Sequence, residues 1–106
     1  MRGKVEEIKI AGYTIRPWTV STRVSVSPEF REISRIMAAE GIEADDILHQ
    51  GPEISNLFLP PAISIIAKSL AISTEEVERI PWPSFLEILT TIVKINRLGE
   101  EKGRLQ

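Results

Sequence analysis

The stretch Ser73–Asn96, "STEEVERIPWPSFLEILTTIVKIN", decides the fold. Ser73, Thr74, Glu75 and Glu76 read as a capping box: the Ser73 hydroxyl accepts from a first-turn N–H and Glu76 reaches back. Val77 and Ile80 give that short helix an inner face. Pro81 ends it, because the residue before a proline is pushed out of the α region. Pro83 or Ser84 then opens a last helix whose Phe85, Leu86, Ile88, Leu89, Ile92, Val93 and Ile95 cover about half its circumference. "IPWP" is thus a corner that folds the last helix back, with Trp82 expected to be buried at the hinge and Pro81 and Pro83 setting the angle. Asn96 falls in helical phase with Phe85, Leu89 and Ile92. It is read as the cap that ends the helix, the alternative being a hydrogen bond across an interface.

Upstream lies the most apolar part, "PEISNLFLPPAISIIAKSLAI". Pro60 and Pro61 are expected to separate "ISNLFL" from a helix over Ala62–Ile72. At about 100° per residue, Ile63, Ile66, Ala67 and Leu70 share one face and Ile65 and Ile72 point the other way. A helix apolar nearly all round is buried on both sides, at the centre of the domain or under a partner. Other helices already fill a small core, so some of Leu57, Phe58, Leu59, Ile65 and Ile72 are expected to face outward as a partner-binding surface.

Ser27-Pro28 reads as a helix start, Ser at the N-cap and Pro at the first helical position. Phe30, Ile33, Ile36 and Met37 follow on one face, and Gly41 ends the helix. Before it, Val5–Ala11 pairs with Thr14–Trp18 as a hairpin around Gly12, with Pro17 at a strand end or on an edge. "VSTRVSVS" alternates Val20, Thr22, Val24 and Val26 with Ser and Arg, which predicts a third strand; Thr19 could instead cap a short, β-branched helix. The expected fold is α+β: an N-terminal β-hairpin, with a possible third strand, followed by a bundle of about four helices. Residues 1–98 form a single domain, and 99–106 a polar, frayed tail.

The chain has 106 residues, one domain's worth, and no cysteine, so neither a disulfide framework nor a thiolate metal site is available to it. Charges among the first ten residues argue against a signal peptide. The longest apolar-biased run, Leu57–Ala67, holds two prolines and is too short to span a bilayer. A cytoplasmic protein is expected, with no membrane partner. Eight of the acidic residues and only one basic residue, Lys68, fall between Glu40 and Glu78. Elsewhere Lys and Arg are scattered, which argues against a nucleic-acid footprint.

The densest polar cluster is "IEADDILH". On a helix, Asp45 and Asp46 share a face with His49 and could hold a metal or form a carboxylate–imidazole pair. A single His with short-armed Asp residues seldom completes a site, so a solvated helix is the preferred reading. Neither a Ser–His–Asp spacing, a Gly-rich phosphate loop nor an HExxH-like motif occurs. No catalytic residue, metal or cofactor is expected. Tyr13, Trp18, Arg16 and Arg23 also fit a base-stacking platform, but core aromatics on a small hairpin are the simpler reading.

Two segments resemble the phage tail assembly chaperone family: "YTIRPWTV", similar to its early strand and following "RPlT"-like step, and "LAISTEEVERIPWPSFLEILTTIVKIN", similar to its capped short helix, proline corner and last helix. The resemblance implies an α+β fold and a non-enzymatic role. It implies partners too: a tape measure protein kept soluble, tail tube subunits recruited during tail assembly, and self-association into a homo-oligomer. Its place would be the bacterial host cytoplasm and not the finished virion. It also tilts "VSTRVSVSPEF" toward helix, against the alternation. Two other classes stand as alternatives: a small nucleic-acid-binding regulatory domain, and a small enzyme using Asp45, Asp46 and His49.

Overall fold

The computed structural model describes residues 7–43 and 52–97. Val5, Asp45, Asp46, His49 and the tail from residue 98 lie outside the described residues. The fold is α+β: an antiparallel hairpin followed, among the described residues, by five helices.

Strands β1 (Ile8–Ile10) and β2 (Tyr13–Ile15) pair Ile8 with Ile15 and Ile10 with Tyr13, a shorter ladder than the alternation predicts. That register leaves Ala11 and Gly12 as a two-residue loop, and both have positive φ, 54° and 87°. Positive φ at both positions is what the tight hairpin turn matching strand twist requires. Ile10 and Ile15 carry the hairpin into the core.

The strand expected over "VSTRVSVS" is instead helix α1 (Val20–Ser25). Thr19 caps it, its Oγ1 accepting the Thr22 N–H at 3.2 Å. A local cap and the helix that follows override the period-2 pattern. Val26, fully buried, is the joint to α2 (Ser27–Glu40). Ser27 is therefore the first helical residue rather than the cap, and its hydroxyl donates back to the Arg23 carbonyl. Pro28 sits in the first turn and Gly41, with φ 67°, ends the helix as expected.

Pro60 and Pro61 do not split the next element: α3 runs unbroken over Pro52–Leu70. Each proline removes one N–H from the helix ladder, leaving the Asn56 and Leu57 carbonyls without their donors. Both of those residues are exposed, where water can serve the freed groups, while Phe58, Pro61, Ala62, Ile65, Ile66 and Ala67 are buried. Apolar burial at about 25 cal/mol per Å² along such a helix outweighs the proline cost. The helix ends at Ala71, left-handed at φ 59°, with the Ile72 N–H bonded to the Ala67 carbonyl.

Helix α4 (Thr74–Glu78) starts on Ser73, whose Oγ accepts the Glu76 N–H at 3.1 Å. Half of the box forms as read. The Glu76 carboxylate goes elsewhere, accepting from the Tyr13 hydroxyl at 2.9 Å. Helix α5 (Trp82–Ile95) follows after Pro81.

The main core joins Ile10, Ile15, Ala62, Ile66, Ala67, Val77, Phe85, Ile88 and Ile92, drawn from the hairpin, α3, α4 and α5. Val26, Ile36, Phe58 and Ile65 are buried outside this cluster, on helices α2 and α3 and the joint before α2. Since α2 packs against α3, α3 is apolar all round because it is the wall between two layers. Ile66 faces one layer and Ile65 the other.

Candidate partner-binding surface

Some of Leu57, Phe58, Leu59, Ile65 and Ile72 were expected to face outward, and the five differ in burial. Phe58 and Ile65 are buried, at 6% and 3% exposure. Both were expected to be candidates for the outward face, and the α2 layer covers that side of α3 instead. Leu59 and Ile72 are half-buried against the main core. Leu57 alone of the five is exposed.

The apolar surface that is open lies elsewhere. On α1, Val20 and Val24 are 82% and 65% exposed, and the helix contributes no buried residue. Their spacing of four puts them about 40° apart around the helix, so they form one strip. Val26 and Thr22 turn to the other side. The same even-numbered set satisfies a strand pattern, which is why alternation alone misassigns it. Read as a helix, the sequence would have exposed the strip, because Val20 and Val24 have no apolar i+3 or i+7 neighbour to carry them inward.

Trp82 is the other correction. It was expected to be buried at the corner and is 52% exposed. Its ring stacks on Phe85 at 5.4 Å and 12°, a lid over the end of the core rather than a part of it. Ile8 and Val93 add further exposed apolar surface.

The half-buried polar groups around Trp18 and Tyr13 have structural partners. The Trp18 backbone N–H donates to Asn96 Oδ1 at 2.7 Å, and its indole N–H to Ser69 Oγ at 2.7 Å. Asn96 thus caps α5, its own amide donating to the Ile92 carbonyl, and also ties α5 to the hairpin exit. Neither the cap reading nor the cross-element reading is sufficient alone. The Tyr13 hydroxyl is held above its ordinary pKa, first by its hydrogen bond to Glu76 and then by burial.

Glu29 is an enclosed carboxylate, with 13% of its side chain exposed. One oxygen, Oε2, accepts from Lys68 Nζ at 2.8 Å and from Ser64 Oγ; the other, Oε1, is buried without a partner. Burial pushes its pKa up, yet the hydrogen bonds from Lys68 and Ser64 prevail and the net shift is downward. A lowered folded-state pKa stabilises the fold above the ordinary carboxylate range, and that contribution is lost as pH falls through the folded value. Lys68 Nζ also donates to the Ser25 carbonyl at 2.8 Å.

Among the described residues no three His, Cys, Asp or Glu side chains gather as a metal site, and no helix is long and apolar enough to cross a membrane. No protein-family model, curated protein or solved structure matches this chain.

Proposed function

We propose that this chain acts by binding rather than by catalysis, as a tail assembly chaperone that keeps an apolar helical tape measure protein soluble and recruits tail tube subunits in the host cytoplasm. The observation that carries the reading is the valine strip on α1: two neighbouring apolar side chains, 82% and 65% exposed, on a helix that buries nothing. A surface helix normally turns its apolar residues to the core; one that turns them out is shaped for another chain. Two further features support it. The segment is helical, as the resemblance implies and the alternation does not, and the α+β layout is the one the resemblance implies. Self-association would use the same kind of surface, with Trp82 and Leu57 as further candidates.

Val20→Asp with Val24→Asp tests it. Both positions are solvent-exposed, so the variant should fold with stability within about 0.5 kcal/mol of the parent, allowing for some loss of helix propensity. Co-expressed with the tape measure protein, it should leave most of that client insoluble. An unchanged soluble fraction of client would remove the strip from the function.

A further inference from the structure

Helix α1 is poorly equipped to be a helix. It has six residues, three of them β-branched (Val20, Thr22 and Val24), and no buried side chain. Isolated helices of such length are unstable in water, and β-branching weakens them further. Packing of an apolar face, the usual remedy, is missing. Beyond the buried Val26 at its C-cap, whose N–H closes the last turn on the Thr22 carbonyl, what remains is polar. Thr19 caps the start, Arg23 lies over the Phe30 ring at 5.0 Å, and Lys68 Nζ reaches the Ser25 carbonyl in the last turn. A cation there suits both the orphan carbonyl and the negative end of the helix.

Lys68 is held in that place by Glu29. The carboxylate sits in the first turn of α2, while Ser64 and Lys68, one turn apart on α3, both donate to its Oε2. One lysine thus joins the end of α1, the start of α2 and the last turn of α3. Of the described charged side chains on the two helices packed against this point, α1 carries Arg23, engaged with Phe30, and α3 carries Lys68.

We infer that the Glu29–Lys68–Ser64 junction is a latch that makes α1 conditional: the segment is helical while Lys68 caps it and becomes extended coil when the latch is undone. Its alternating sequence suits the extended form as well as the helical one. The consequence for a partner rests on the proposed function above, because the strip of Val20 and Val24 exists as one face only in the helix. The latch itself stands on geometry independent of any client.

The test is Lys68→Met in the full chain, with Glu29→Gln as a second route to the same release. Backbone relaxation and Cα chemical shifts of Val20–Ser25 are compared with those of α5. In the parent both helices should show order parameters of about 0.85; in either variant α1 should fall below about 0.6 with coil-like or extended shifts, while α5 stays rigid. Three results would overturn the latch: α1 mobile in the parent, α1 rigid in both variants, or α1 and α5 loosening together, which signals general destabilisation. Client solubilisation is a separate readout. If α1 unfolds in the variants and the client stays soluble, the latch holds and the valine-strip reading fails.

Discussion

The chain contains the step Pro-Trp twice, at Pro17-Trp18 and at Pro81-Trp82, and the two indoles have opposite fates. Trp18 is half-buried, donates both of its N–H groups within the protein and meets Phe30 edge-on at 5.9 Å. Trp82 is half-exposed and stacks on Phe85. Local sequence is nearly the same in both places, so it does not decide burial. The difference is what stands opposite. Trp18 leaves the hairpin where α3 offers Ser69 and α5 offers Asn96, whereas Trp82 begins a helix at the outer end of the bundle. An indole N–H goes inside where an acceptor waits for it.

Trp18→Ala should widen the contrast most. It removes a large packed ring and leaves Ser69 Oγ without its indole donor, while the backbone N–H to Asn96 remains, so a loss of about 3 kcal/mol is expected in denaturant unfolding. Asn96→Ala should come next, at about 1–3 kcal/mol, since it strands the Trp18 amide and removes the end of α5 from its partner. Ser69→Ala touches only the indole N–H and should cost about 1 kcal/mol. Trp82→Ala should be the mildest, about 0.5–1 kcal/mol from the lost stack on Phe85. If Trp82→Ala matched Trp18→Ala in melting experiments, the corner would be core after all and the contrast would collapse. Quenching by acrylamide in single-tryptophan variants should sharpen it, with Trp82 quenched more readily than Trp18.

Much of the architecture was legible because short-range chemistry fixes it: the Ser73 cap, the Gly41 stop, the turn at Gly12 and the apolar stripe of α5 all depend on near neighbours. Three features were not. The unbroken α3 depends on burial on both of its sides outweighing two prolines, a balance that no window around Pro60 contains. In helix α1 the local Thr19 cap is joined by Lys68, which lies 43 residues from Ser25. The sides taken by Ile65 and Trp82 depend on where α2 and α5 come to rest. The candidate surface was less legible than the fold for a related reason. An exposed apolar residue differs from a core residue only in what lies across from it, and in the strand alternation Val20 and Val24 look like any other buried pair.

The bond between the Trp18 amide and Asn96 spans 78 residues and joins the exit of the hairpin to the end of the last helix. A ribosome delivers the second of these groups 78 residues after the first. While residue 96 is still inside the exit tunnel, the hairpin has neither its far anchor nor the α5 face that Ile10 and Ile15 pack against. Long-range closure of this kind carries only a slowly growing entropy cost but delays folding. The domain should therefore complete its fold only once residue 96 has left the tunnel, with the environment of Trp18 as the last local signal to reach its native value.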